Sequence, residues 1–340
     1  MDKLKTAIST LQASLHTDIS IDDLETNGLT ALKPREYQLF GINWLLHCHN
    51  TSLQDGCIIG DEMGLGKTLQ TVCFLMHMKA SKKSDGPFLI LSPLSVVDNW
   101  KNEIIKCAPS LRLVVYTGYK EAREELRETI GSQFLSSNWK NSKCNFDVLV
   151  TSYEVCMKDK EFFSKFSWKI LVVDEAHRLK NSKSLLYQIL TDFDFKFKLL
   201  LTGTPVQNNL EELYSLLHFI VPKIFKENYT DEFKAYFSNV AKDPNSNESV
   251  ELHQILKPFL LRRVKNEVIK DLPKKTEVIL YCGMSALQKK LYRGVLAKDV
   301  WHINEQGVGK KTKLLNILMQ LRKCCNHPYN FTGKPWITES

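Results

Sequence analysis

Six short apolar runs punctuate the first two thirds of the chain. They are Cys57-Ile58-Ile59, Phe88-Leu89-Ile90-Leu91, Arg112-Leu113-Val114-Val115-Tyr116, Asp147-Val148-Leu149-Val150, Ile170-Leu171-Val172-Val173 and Leu199-Leu200-Leu201. Their aliphatic residues do not alternate with polar ones, as expected of strands covered on both faces. After each run comes a cluster of Gly, Ser, Thr or Asp, and then apolar residues at helical spacing, clearest over residues 68–80 and 210–221. Asn208 or Asn209 is the expected cap of the second of these helices, with Glu211 and Glu212 complementing its dipole. Strand alternating with helix predicts an α/β fold, a parallel sheet flanked by helices. Ligands of such sheets bind beyond the carboxyl ends of the strands, so the polar clusters should converge there.

The flanks read differently. Residues 1–32 are acidic and weakly patterned, predicting a tail or one marginal helix, with order beginning near Leu32. Residues 226–250 turn polar, including DPNSNES, and predict an exposed loop; residues 251–330 read as mostly helical, bounded by Pro258 and Pro273. The chain thus divides into a tail (1–32), a sheet domain (33–225), a helical segment (226–331) and a short tail (332–340). No apolar stretch approaches the roughly 20 residues of a membrane span, and the first residues lack a secretory pattern. Nine irregularly spaced cysteines read as reduced thiols of an intracellular protein. The net charge of +8 is uneven: residues 251–340 hold 17 Lys+Arg against 7 Asp+Glu, leaving residues 1–250 slightly acidic. A basic segment of this kind is the footprint expected of a polyanion partner, although a solvated surface has the same composition.

Chemistry concentrates in two clusters. Gly60-Asp61-Glu62-Met63-Gly64-Leu65-Gly66-Lys67-Thr68 follows a strand and precedes a helix, the context of a phosphate-binding loop. Gly64 and Gly66 let the backbone curl so that its N–H groups face phosphate oxygens; Lys67 is placed to reach the β- and γ-phosphates and Thr68 to ligate Mg²⁺. The strict pattern has glycine five residues before Gly66, and this chain has Asp61 there. The second cluster, Asp174-Glu175-Ala176-His177, ends the run at 170–173. Neighbouring residues at a strand end point in different directions, so Asp174 can serve the metal while Glu175 orients or deprotonates the attacking water.

Together these residues resemble the first motor lobe of a superfamily-two helicase, specifically the sucrose-nonfermenting (SNF) type of chromatin-remodelling ATPase. Tyr37-Gln38 with Gly41-Ile42-Asn43-Trp44-Leu45 is similar to the segment whose glutamine reads adenine, a role that Gln38 inherits. Asp61 to Thr68 is similar to the family's own form of the phosphate loop, and Asp174 to His177 to its DEAH box, extended by Arg178-Leu179-Lys180-Asn181. Pro93 and Ser95, and Thr151 and Ser152, fall in elements that touch the DNA backbone in the family. Thr202-Gly203-Thr204 resembles the motif coupling nucleotide state to lobe movement, with His177 as its expected neighbour. The resemblance continues through Leu260-Leu261-Arg262-Arg263 and Leu321-Arg322-Lys323-Cys324-Cys325. Residues 86–91 and 283–290 are most similar to the chromodomain-helicase-DNA-binding-like branch, which carries a macrodomain and responds to poly(ADP-ribose).

The resemblance implies a RecA-like fold, ATP and Mg²⁺, duplex DNA and nucleosomes with their histones as partners, and a nuclear role in chromatin remodelling and DNA repair. Any link to poly(ADP-ribose) would run through regions outside this sequence. Motors of this family also need a second RecA-like lobe, and nothing after Phe331 resembles its motifs; one lobe alone is expected to bind nucleotide with little hydrolysis. A non-catalytic module that binds ATP or a partner is the alternative reading, and a strand-separating helicase a third. Cys324-Cys325 with His327, and His47-Cys48-His49 with Cys57, lack the paired spacing of a structural zinc site. Trp44, Trp100 and Trp168 read as core residues.

Overall fold

The computed structural model describes residues 18–51, 55–132, 144–203, 210–237, 246–270, 273, 275–297 and 317–330. In chain order its elements begin with α1 (Ile21–Thr26), α2 (Glu36–Asn50), β1 (Gly56–Ile59), α3 (Lys67–Ala80), β2 (Phe88–Ser92), α4 (Val97–Cys107), β3 (Leu113–Tyr116) and α5 (Lys120–Gly131). Next come β4 (Val148–Ser152), α6 (Tyr153–Lys158), α7 (Lys160–Phe163), β5 (Trp168–Val173), α8 (Leu185–Asp192), β6 (Phe195–Leu201) and α9 (Leu210–Ile220). The remainder is α10 (Thr230–Tyr236), α11 (Asn247–Leu256), β7 (Leu260–Leu261), α12 (Lys265–Val268), α13 (Ala286–Leu296) and α14 (Ile317–Asn326). No helix among the described residues is long and apolar enough to cross a membrane.

All six predicted strands form, and with β7 they make one sheet in the order β3-β4-β2-β5-β6-β1-β7, every pair parallel. The side chains alternate between two cores: Leu89, Leu91, Leu171 and Val173 enter one, while Phe88, Ile90, Ile170 and Val172 enter the other. Helices cover both, which is why the runs show no polar alternation. At the edge, β3 has a neighbour on one side only and its residues 113–115 are half-buried.

Three readings of the flanks need correction. Of the two alternatives for residues 1–32, the single helix forms within 18–32 and is docked, so order begins before Leu32: Ser20 caps α1 in a capping box, Leu24 and Leu29 are buried in one core, and the Asn43 amide clamps Ile19 at both its N–H (2.9 Å) and its C=O (3.1 Å). The described part of residues 226–250 is helical rather than a loop. Phe233 of α10 packs on Tyr214 (5.0 Å between rings), and the Ser246 hydroxyl caps α11 by accepting from the Ser249 N–H. The contact boundary also lies later than residue 225, between Met1–Asp271 and Leu272–Ser340, because Phe233, Phe237, Leu252, Ile255 and Phe259 share the sheet's core. Asn208 and Asn209 lie outside the described residues.

In the second unit, α13 and α14 pack through Leu291, Val295 and Cys324. The Gln288 amide donates to the Cys324 and Cys325 carbonyls (3.2 and 3.1 Å), and the Cys324 thiol donates to the Gln288 carbonyl, so this cysteine is a packing residue. Residues 275–285 form neither helix nor strand, against the mostly helical expectation, and expose Val278, Ile279, Leu280 and Tyr281.

One buried carboxylate joins three elements of the sheet unit. Asp147, 1% exposed, accepts from the Arg112 N–H (2.9 Å), Nε (3.1 Å) and Nη2 (2.8 Å) and from Lys79 Nζ (2.6 Å). Burial pushes its carboxyl up, but the bonds from Arg112 and Lys79 outweigh burial and hold it at about 2. The folded value is depressed, so this stability is present above the unfolded value of about 3.9 and lost as pH falls through the folded one. We predict that Asp147→Asn costs about 2 kcal/mol, with Arg112 half-exposed and discounted accordingly. Thermal melts at neutral pH should show the loss, and the difference from the parent should narrow between about pH 4 and pH 2.

Candidate active site

The phosphate loop is built as an extension of the sheet. Beyond the β1–β7 ladder, the Gly60 N–H donates to the Leu261 C=O (2.7 Å) and the Glu62 N–H to the Arg263 C=O (2.9 Å). The loop then curls through Gly64 (φ +86°) and Gly66 (φ +79°), left-handed conformations that L side chains rarely adopt. Space is a second constraint at Gly66, where an added Cβ would sit 2.2 Å from Gln38 Nε2. From there α3 starts at Lys67 and aims its first N–H groups into the loop.

Asp61, the departure from the strict pattern, is fully buried and ion-paired. Arg263 Nε donates to its Oδ1 (3.0 Å) and Nη2 to its Oδ2; the same guanidinium donates to Gln70 Oε1 (2.7 Å) and to the Tyr37 carbonyl. Gln70 in turn donates to the Leu65 (3.4 Å) and Gly66 (3.3 Å) carbonyls, so Asp61 anchors one end of a network that grips the loop from behind. Gln38 belongs to it: its Oε1 accepts from the Arg35 N–H (2.9 Å) and its Nε2 donates to the Leu65 C=O (3.1 Å). Its amide thus supports the loop directly. Met63, exposed at the loop's tip, lies against Gly203, where a Cβ would meet its Cγ at 3.1 Å.

Lys67 Nζ donates to the Asp61 (2.8 Å) and Glu62 (3.5 Å) carbonyls. Burial pulls its pKa down, and Asp61, Asp174 and Glu175 pull it back up. Strand order brings the two clusters together, since Lys67 and Asp174, 107 residues apart in sequence, follow the parallel strands β1 and β5 on either side of β6. Thr68, half-buried beside Lys67, makes no side-chain hydrogen bond to the described residues.

At the end of β5 the Asp174 N–H extends the ladder to the Leu91 C=O (2.8 Å), and Glu175 then turns left-handed at φ +51°. Such a backbone costs a non-glycine residue about 1–2 kcal/mol and is a feature of functional turns. Both Asp174 oxygens are held, Oδ1 by the Glu175 N–H (2.9 Å) and Oδ2 by the Trp100 indole N–H (2.9 Å). Burial raises the Asp174 pKa; the indole and amide donors oppose it. Glu175 Oε2 lies 3.2 Å from His177 Nδ1, on an imidazole that is 51% exposed.

The coupling residues divide. Thr202 is buried with its N–H on the Ile59 C=O (3.0 Å), Gly203 touches the loop through Met63, and Thr204 lies outside the described residues. His177 has Glu175 as its partner. The four DNA candidates also divide. Ser95 is exposed and Pro93 half-buried, but Thr151 and Ser152 are 0% and 1% exposed. Thr151 donates to the Tyr116 C=O (2.6 Å), and the Ser152 hydroxyl caps α6 by accepting from the Val155 N–H (3.3 Å). Three contributors escaped the sequence reading. Trp100 is core, as expected, and is in addition the Asp174 donor; Gln70 and Arg263 hold the loop. The legible signal for Arg263 was Asp61 itself, because a carboxylate buried in a phosphate loop requires a cation.

Two outcomes are expected. Arg263→Gln strands the Asp61 carboxylate and should cost about 3–5 kcal/mol, read as a lower melting temperature with weakened nucleotide binding. Trp100→Phe keeps the ring and removes the donor that favours the Asp174 carboxylate. Its pKa then rises further, so the acid limb of metal-dependent nucleotide binding should move to higher pH while the neutral-pH melt changes by only about 1 kcal/mol.

Comparison with known proteins gives the same result as the geometry. The SNF2-related domain matches residues 37–330. The chain is 49% identical over 319 residues to mouse chromodomain-helicase-DNA-binding protein 1-like, covering 94% of this chain and 34% of that protein. It is 46% identical over 301 residues to human SWI/SNF-related matrix-associated actin-dependent regulator of chromatin subfamily A member 1, covering 88% of this chain and 27% of that one. The chain therefore spans about a third or less of the length of these relatives. Among solved structures, the Sulfolobus solfataricus SWI2/SNF2 ATPase core in complex with double-stranded DNA superposes with a TM-score of 0.61 at 28% identity, over 94% of this chain and 63% of that one. The matched domain contains every residue of the site built above, and the chain belongs to the SNF2-related domain family.

Proposed function

We propose that this chain is the ATP-binding motor lobe of a chromatin remodeller, a DNA-dependent ATPase in its family context, acting on duplex DNA and nucleosomes in the nucleus. The observation that carries the reading is the strand order: the phosphate loop follows β1 and Asp174-Glu175 follows β5, parallel strands on either side of β6, so a phosphate cation, a metal carboxylate and a candidate base rise from the same end of the sheet. The relatives support the substrate side: one is named as a chromodomain-helicase-DNA-binding protein and another as a regulator of chromatin, and the solved core is in complex with double-stranded DNA.

The donor set fits Mg²⁺, since the Asp174 carboxylate and the Thr68 hydroxyl are hard oxygen ligands. Bound there, Mg²⁺ would neutralise charge on the phosphate oxygens. The loop N–H groups and Lys67 bind the β- and γ-phosphates, Lys67 exchanging its two loop carbonyls for phosphate oxygens. Glu175 orients the attacking water and takes its proton as the water oxygen bonds to the γ-phosphorus. The bond from that phosphorus to the bridging oxygen then breaks, leaving ADP and phosphate. Thr202 and Gly203, through Met63, are placed to transmit the state of the loop, and His177 to report on Glu175. Ser95 and Pro93 are the DNA-backbone residues kept in the proposal. Nucleosomal histones are partners in the proposal, and any poly(ADP-ribose)-linked factor would engage regions outside this sequence.

Catalysis in such motors gains about 10³–10⁵ from an arginine at the γ-phosphate. The arginine at this loop, Arg263, is committed to Asp61, so the 340-residue chain by itself is proposed to bind nucleotide with slow turnover. Phosphate release by the purified chain, with and without duplex DNA, tests this. Lys67→Ala should weaken nucleotide binding at least about tenfold by removing a charged hydrogen-bond donor. Glu175→Gln should bind normally and abolish residual release; continued turnover in that variant would remove Glu175 from the role of base.

A further inference from the structure

Lys265 stands beside the phosphate loop without an assigned role. Its position follows from the ladder described above: Phe259, Leu261 and Arg263 give their carbonyls in turn to the N–H groups of Ile58, Gly60 and Glu62. This locks the segment after β7 alongside the loop in a fixed register. At the next step the Lys265 N–H donates to Glu62 Oε2 (2.7 Å), and its side chain runs over Gly64, where an added Cβ would lie 3.3 Å from both Cε and Nζ. The ammonium thus sits over the curl whose N–H groups face a ligand.

Three features of this lysine are unusual for a surface cation. It is half-buried, it makes no side-chain hydrogen bond or ion pair with the described residues, and it faces another cation. The two lysines repel, since Lys265 is among the charges that depress the Lys67 pKa. The nearest carboxylates are already engaged: Asp61 with Arg263, and Glu62 through the Lys265 backbone N–H. A second ammonium with no side-chain partner, placed on the same glycine-rich curl as Lys67, is unfavourable unless a polyanion lies between the two.

We propose that Lys265 is a second phosphate-binding lysine, contacting the polyphosphate of the bound nucleotide from the β7 side of the loop while Lys67 contacts it from the helix side. This rests on the nucleotide reading of the site. It makes the segment carrying residues 259–265 part of the binding site, and it gives the loop two cations on opposite sides.

The test is calorimetric titration of the full chain with a non-hydrolysable ATP analogue, ADP and adenosine, for the parent, Lys265→Gln, Lys265→Arg and Lys67→Ala. Lys265→Gln should bind the triphosphate about tenfold more weakly, the loss of one charged hydrogen-bond donor. Its loss should be smaller for ADP and absent for adenosine, its salt dependence shallower, and its melting temperature unchanged because the side chain has no partner within the described protein. Lys265→Arg should restore binding. Parental triphosphate affinity in Lys265→Gln, or an equal loss for adenosine, overturns the proposal. If Lys67→Ala is weakened while Lys265→Gln is not, the nucleotide reading stands and only this proposal falls; if neither is weakened, both fall.

Discussion

A phosphate loop can bind only if its backbone is held curled before the ligand arrives, and here that hold is the buried pair between Asp61 and Arg263. The guanidinium donates to both oxygens of Asp61 and also bonds Gln70 and the Tyr37 carbonyl, and Gln70 and Gln38 bond the loop carbonyls at Leu65 and Gly66. A buried charge pair of this kind contributes little net stability against an apolar substitute, but it fixes one geometry because any other leaves a charge unpaired. Specification is what an anion cradle requires. It also explains why the chain departs from the strict motif. Glycine at position 61 would leave the buried Arg263 guanidinium without its counter-charge.

The pair also sets the outline of the functional unit. Arg263 follows β7, which adds to the edge of the sheet beside β1, so the loop depends on a segment about 200 residues away in sequence. Phe233, Phe237 and Phe259 bury that segment in the same core as the strands. The described residues of 226–237 and 246–270 are therefore structural parts of the unit that carries the nucleotide site.

On the opposite side of β6, the second cluster uses backbone strain and burial together. The left-handed turn at Glu175 frees the Asp174 carboxylate to accept from the following N–H, while Trp100 supplies the other donor. Burial alone would leave Asp174 poorly ionised; the two donors favour the anion a metal ligand needs. A residue that looks like core packing thereby tunes the chemistry. Thr151 and Ser152 show the reverse case, polar residues at a strand end that are buried and whose hydroxyls bond the backbone.

The sequence by itself determined the local and the repetitive. Unbroken apolar runs dictated strands buried on two faces, Gly64, Gly66 and Lys67 dictated a loop feeding a helix, and Asp174-Glu175 at a strand end dictated a carboxylate pair, because each depends on neighbours within a few positions. The motifs also carried the family. What only the tertiary structure decided were the partners across long separations. Arg263 against Asp61, Trp100 against Asp174, Lys265 over Gly64 and Leu24 in the core depend on strand order and on which helix covers which face. A side chain's role there is set by what the fold places within about 3 Å of it, and no spacing along the chain records that distance.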